Sequence, residues 1–100
     1  AERDMHEAEN FVCRMLEDIA LRLDMLQSGM AEQNFATMHR PAQRIGAVAD
    51  QIGLLEVAVA ASHVRACLTQ NDGIALEATM ARLERGFDAA VSEVWTFRNL

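Results

Sequence analysis

Hydrophobic residues recur at steps of three and four along almost the whole chain, which is the spacing of amphipathic helices. Breaker residues at Ser28-Gly29, at Gly53 and at the turn before Gly73 divide this pattern into four segments. No segment alternates between apolar and polar residues with a period of two. The pattern therefore predicts helices throughout and no strands.

The four predicted helices differ in length and in their apolar seams. They cover about Arg3 to Gln27, Ala31 to Ile52, Leu54 to Leu68, and a last segment that begins at Asp72 as its N-cap. Their seams are, in chain order, Met5, Ala8, Val12, Met15, Ile19, Leu23 and Leu26; Ala31, Phe35, Met38, Ala42, Ile45, Ala49 and Ile52; Leu54, Val57, Ala61, Val64 and Leu68; and Leu76, Met80, Leu83, Phe87, Ala90, Val94 and Phe97.

Short connections between the segments make consecutive helices antiparallel neighbours. We therefore predict an all-α fold, an up-down antiparallel four-helix bundle that forms a single domain over residues 1–100. Pro41 lies inside the second segment and removes a backbone donor, so we expect a kink or a break there.

The net charge of the chain argues against two classes of partner. The net charge is −6 at neutral pH, which disfavours nucleic acid and anionic membrane surfaces, because both attract basic proteins. All nine positive residues are arginines, so chemistry that depends on a lysine is excluded. Cys13 and Cys67 stand alone in apolar stretches, and the first residues do not resemble a signal peptide. We expect a reduced, cytoplasmic protein.

Motifs for catalysis are missing from the sequence. It contains no HExxH, CxxC, GxGxxG, phosphate loop or GxSxG, and no histidine with the glutamate spacing of a di-iron site. We expect no metal, no cofactor and no independent enzymatic activity, since no pair of nucleophile and base can be named.

The run from Ala42 to Leu54 resembles the signature of histidine phosphotransfer (HPt) domains, which are helical bundles that pass phosphoryl groups in two-component phosphorelays. Ala42 matches the leading alanine of that signature, Ile45 an apolar position and Ala49 a second small residue, while Ile52-Gly53 matches the Leu-Gly pair that ends the helix. The preceding His39-Arg40 and the order of the later helices also resemble the family. The resemblance implies an HPt-like bundle whose partners are a response-regulator receiver domain or a histidine kinase.

Three departures from the family concern its chemistry. Gln43 stands where the family has its phosphoacceptor histidine, Gly46 where it has a supporting lysine, and Ala47 where it has a glycine. The amide nitrogen of glutamine is not nucleophilic, because its lone pair is delocalised into the carbonyl. The resemblance therefore implies a non-phosphorylatable binder that acts by competition, tethering or allosteric bias of its partner.

The residues around Gln43 form the predicted docking face. By helical spacing and by the resemblance, this face consists of His39, Arg40, Gln43, Arg44, Gly46, Ala47 and Asp50. An equally simple interpretation makes Gln43 an ordinary polar residue beside a bundle seam, with small neighbours that serve helix packing.

Two other functions stay open on the sequence alone. His39 lies one helical turn before Gln43 and is an alternative phosphoacceptor, whereas His6 and His63 have no evident chemical role. Alternatively, the chain is a structural bundle that pairs with a second copy as a homodimer, through apolar residues of the first and last helices such as Trp95 and Phe97.

Overall fold

The computed structural model describes residues 2–98 and consists of four α-helices in that range. They are α1 (Glu2–Ala31), α2 (His39–Gln51), α3 (Leu55–Gln70) and α4 (Gly73–Arg98), with a short 3-10 turn at Phe35–Thr37. No strand occurs in this part of the chain. The prediction of an all-α fold is confirmed.

Helices that follow one another in the chain pack against one another, α1 on α2, α2 on α3 and α3 on α4. Their order of contact is antiparallel: Asp18 of α1 meets Arg44 of α2, and Gly29, further along α1, meets Met38, which comes before α2. α1 and α4 line a common apolar groove at one end of the molecule. The four helices thus form a bundle.

The predicted seams form the core in the central part of this bundle. Each helix supplies side chains that are almost completely buried, among them Ile19, Leu26, Ile45, Val48, Val57, Val64, Leu76 and Leu83. α2 contributes the most tightly enclosed row, since Ala42, Ile45 and Ala49 have no exposed surface. This row determines which residues of α2 face solvent.

The seam prediction is wrong at the far end of α1 and α4. Met5 is 61% exposed and Phe97 is 63% exposed, although both continue the apolar spacing of their helices. The reason is helix length. α1 has 30 residues and α2 only 13, so at about 1.5 Å per residue α2 is less than half as long and cannot cover that end.

Each of the first three helices ends with the same backbone arrangement. A left-handed residue follows the helix, namely Gln33 after α1 (φ 54°), Gly53 after α2 (φ 77°) and Asn71 after α3 (φ 54°). The amide after it donates back to a carbonyl of the last turn: Asn34 to Gly29 at 2.9 Å, Leu54 to Ala49 at 2.8 Å and Asp72 to Cys67 at 3.2 Å. These are Schellman-type caps, which satisfy the helix end and reverse the chain.

The turn between α3 and α4 also supplies the predicted N-cap. The backbone amide of Ala75 donates a hydrogen bond of 3.1 Å to Oδ1 of Asp72, and the amide of Leu76 donates to the Asp72 carbonyl at 2.9 Å. The Asp72 side chain thus satisfies one of the amides that the first turn of a helix leaves without partners, and its carbonyl accepts the first bond of the helix. The prediction of Asp72 as a cap is confirmed.

The predicted boundary at Ser28-Gly29 is wrong, because α1 continues to Ala31. Gly29 is buried inside the helix, where the returning chain approaches it closely. A Cβ atom placed on Gly29 would lie 2.5 Å from Cγ of Met38 and 3.2 Å from Oγ1 of Thr37. The glycine is required by this close contact and does not end the helix.

The sequence predicted a kink or a break at Pro41, and a break is present: the predicted second helix is interrupted just before the proline, while α2 itself continues through it. α2 begins at His39, so Pro41 occupies the third position of the helix, where a backbone N–H has no partner within the helix. The residues before it, which the sequence assigned to one long second helix, form the loop and the 3-10 turn. Proline therefore fits the start of α2 without distorting it.

None of the helices in the described residues is both long enough and apolar enough to cross a membrane.

We expect Gly29→Ala to destabilise the protein, whereas Gly46→Ala stabilises it. The new methyl group at position 29 meets the fully buried Met38, and overpacking of this kind costs about 1–3 kcal/mol. At position 46 the nearest atom is Cβ of Ala61 at 3.8 Å, so the higher helix propensity of alanine adds about 0.5–1 kcal/mol. Urea unfolding of both variants measures the difference, and equal shifts would contradict the close contact at Gly29.

Candidate functional site

Because the seam of α2 is buried, three residues of the predicted docking face point to solvent. Gln43, Ala47 and Asp50 are exposed, and each lies one or two positions from a completely buried seam residue. Because side chains at i, i+4 and i+7 share one helical face, these three residues lie in a row along α2. Gln43 is therefore a surface residue.

This row forms one wall of a shallow groove between α2 and α3, which we call the α2/α3 groove. Its lining from α2 is Ala42, Gln43, Gly46, Ala47 and Asp50, and its lining from α3 is Ala58, Ser62 and Arg65. Most of these side chains are small, so the backbone of both helices is close to the surface. Such a groove admits another helix or loop at short distance.

The α3 half of the groove was not predicted from the sequence. Ala58, Ser62 and Arg65 follow one another at helical spacing between the seam positions of α3, and this spacing is the signal that could have identified them. The hydroxyl of Ser62 donates to the Val59 carbonyl at 3.0 Å, within its own helix. Ser62 thus contributes a small, internally bonded surface.

Gly46 has no packing role that requires glycine. A Cβ atom at this position would make only an ordinary van der Waals contact of 3.8 Å with Cβ of Ala61. Close packing of α2 on α3 therefore calls for a small residue at position 46, but alanine would meet it as well as glycine. Its effect is to leave the groove open between Gln43 and Asp50.

A positive charge is present in the groove, although position 46 has none. Arg65 of α3 lines the same groove as Gln43, and in the described part of the chain it forms no ion pair with Asp50. The groove therefore contains a guanidinium, which donates hydrogen bonds in a planar fork.

Arg44 has a different role from its neighbours on the predicted face. Its Nε and its NH2 group both donate to Oδ2 of Asp18 on α1, at 3.2 Å and 3.0 Å. The other oxygen of Asp18 pairs with Arg22 at 2.8 Å. The structure thus places Arg44 on the side of α2 that faces α1, where it connects the two helices and lies outside the α2/α3 groove.

His39 and Arg40 are exposed in the first turn of α2, beyond the end of the groove. The helix runs without interruption from His39 to Gln43, so these two residues are one turn apart, about 6 Å along the axis. His6 is exposed on α1, and His63 lies on α3 with its Nδ1 3.5 Å from NH1 of Arg82. No histidine lines the α2/α3 groove.

The α2/α3 groove offers hydrogen-bonding and charged groups that can recognise a partner. An exposed glutamine both donates and accepts hydrogen bonds, and Arg65 and Asp50 add one charge of each sign. Among the described residues, no group of three or more histidine, cysteine, aspartate or glutamate side chains is placed to hold a metal ion.

Comparison of the chain with protein-family models, with curated proteins and with solved structures finds no match. Function is therefore inferred from the groove together with the sequence motif that runs from Ala42 to Leu54.

Proposed function

We propose that the chain is an HPt-like protein of two-component or phosphorelay signalling that binds a receiver domain or a histidine kinase without carrying a phosphoryl group. The observation that carries this proposal is the position of Gln43. It is exposed in an open groove between two helices, at the position that the HPt signature gives to the phosphoacceptor histidine.

The small side chains of the groove support a docking role. Gly46 and Ala47 of α2 face Ala58 of α3, so an incoming surface meets backbone and methyl groups at short range. Shape complementarity at such a surface depends on the absence of large side chains, and packing inside the bundle would accept alanine in place of Gly46. An open groove that has no histidine among its lining residues is the property expected of a binder.

Binding of this kind would affect the partner by occupying its docking surface. A receiver domain that sits on the α2/α3 groove presents its phosphorylation site to an amide that does not accept the phosphoryl group. The chain then competes with an active HPt partner, tethers the receiver or holds one of its conformations. We expect each of these effects in the cytoplasm, where receiver domains and histidine kinases bind such partners.

The first experiment tests the chemistry with the Gln43→His variant. We expect no acid-labile phosphate on the native chain when it is incubated with a phosphodonor kinase and its receiver. Gln43→His introduces a nucleophilic imidazole at an exposed position and should gain such phosphate, since the groove and Arg65 are already in place.

Phosphate on the native chain that disappears in His39→Ala would contradict the proposal and would establish His39 as an active phosphoacceptor. The control is Gln51→His on the same helix, which places an exposed histidine outside the groove lining and should gain no phosphate.

The second experiment tests docking with two matched alanines. Ala47 and Ala20 are both exposed helical residues, but only Ala47 lines the α2/α3 groove. We expect Ala47→Arg to weaken binding to a receiver or a kinase by about tenfold or more, because the long side chain fills the groove and costs upwards of about 1.4 kcal/mol.

Ala20→Arg should leave that affinity unchanged, and calorimetric titration measures both variants. Equal affinities for the two variants, or no affinity of the native chain for any receiver or kinase encoded beside it, would contradict the docking proposal.

A second candidate function is self-association, and the exposed end of α1 and α4 favours it. Met5, Trp95 and Phe97 are each more than 60% exposed at this end, being 61%, 66% and 63%. Large apolar side chains exposed at one end of a helix pair favour a contact surface at that end. Two copies that pair through this end would form a homodimer.

Trp95 is the single tryptophan of the chain and reports on this surface directly. If two copies pair there, its fluorescence emission shifts to shorter wavelength as protein concentration rises, and Phe97→Ser abolishes the shift. Ile74→Ser, at the other end of α4 and also highly exposed, is the control. An emission maximum that is independent of concentration would contradict self-association through this end.

A further inference from the structure

The outward face of α3 is more apolar than its packing in the bundle requires. α3 buries six residues against its neighbours, from Val57 to Leu68, yet it also exposes Leu55 (66%) and Val59 (53%) on the side towards α4. These two side chains are four residues apart and therefore lie one above the other. They form an apolar patch on an otherwise polar outward face, and such a patch is a candidate contact surface.

Leu55 and Val59 form one wall of a second groove, which we call the α3/α4 groove. The small residues Ala60 and Gly86 also line it, and Arg82 and Arg85 of α4 line its other side. Two parallel walls with a floor of small residues match the shape of a third helix laid along them. This groove is separate from the α2/α3 groove, and the two lie on either flank of the exposed face of α3.

The charge in this groove has the opposite sign to that of the chain. Arg82 and Arg85 are accompanied by one carboxylate, that of Glu56, whereas the chain as a whole has a net charge of −6. The ion pairs recorded in the described residues join Asp18 to Arg22 and to Arg44, and neither groove arginine takes part in one.

Within the described residues, neither of these two guanidinium groups has a carboxylate partner. Arg82 has no acidic residue three or four positions away, and Asp88, three positions beyond Arg85, forms no ion pair with it within the described structure. The contact recorded for Arg82 is with the ring of His63, at 3.5 Å. Both guanidinium groups are exposed and can donate hydrogen bonds to a carboxylate of another molecule.

We propose that the α3/α4 groove binds an amphipathic helix of a partner protein that carries carboxylates along one edge of its apolar face. The aliphatic side chains of that helix cover Leu55 and Val59, and its carboxylates pair with Arg82 and Arg85. Charge complementarity determines which edge of the bound helix faces α4. The cationic residues of the groove are on the α4 wall and the apolar residues are on the α3 wall, so the carboxylate edge faces α4. The same arrangement disfavours a basic helix.

The experiment uses the full chain and two labelled synthetic helical peptides as probes. Both peptides have leucines at positions i, i+3, i+4 and i+7, with glutamates beside them in one and lysines in the other. Fluorescence anisotropy should show binding of the glutamate peptide only, and added salt should weaken it because exposed charge pairs are screened.

Arg85→Glu should reduce affinity for the glutamate peptide about tenfold, and Arg82→Glu with Arg85→Glu should reverse the preference in favour of the lysine peptide. The matched control is Arg14→Glu, which makes the same change of charge on the exposed side of α1 and should leave affinity unchanged. Circular dichroism confirms that each variant is folded.

Equal binding of the two peptides, or an equal loss in Arg14→Glu, would overturn the proposal. A concentration-dependent dimer that disappears in Arg85→Glu, without affinity for either peptide, would assign the groove to a second copy and would also overturn it. The result is independent of the proposed function, because Ala47→Arg tests the α2/α3 groove and leaves the α3/α4 groove unaltered.

Discussion

The left-handed residue that follows each of the first three helices is the constraint on which the rest of the structure depends. Gln33, Gly53 and Asn71 let the chain reverse within a few residues, and each reversal is held by an amide that donates back into the last turn. Consecutive helices are thereby forced to lie side by side. Both grooves exist because these turns leave α2, α3 and α4 adjacent and antiparallel.

The architecture could be predicted from local patterns because the seams are regular and the turn at Asp72 has its usual chemistry. Gly29 misled the prediction and Pro41 left a kink and a break both open, since each has two meanings that local sequence does not separate. A glycine ends a helix or admits a close neighbour, and here the neighbour is Met38, from the next segment. A proline breaks a helix or begins one, and the choice depends on where α2 starts.

The exposure of Gln43 followed from the seam of α2, because Ala42 and Ile45 fix the buried side of that helix. The contributions of other helices to the site did not follow. The pairing of Arg44 with Asp18 joins residues 26 positions apart, and Arg65 reaches the groove only because α3 packs on α2. Such juxtapositions depend on rotation of one helix about another, which a single seam does not specify.

α3 is a wall of both grooves, and this has a thermodynamic consequence. It is joined to α2 and α4 by connections of three and two residues, so neither end of α3 can move far without its neighbour. A ligand that tilts or rotates α3 when it settles on one side alters the width of the groove on the other side. Linkage makes any such effect reciprocal: a ligand that tightens the second site is itself bound more tightly once that site is filled, and by the same factor.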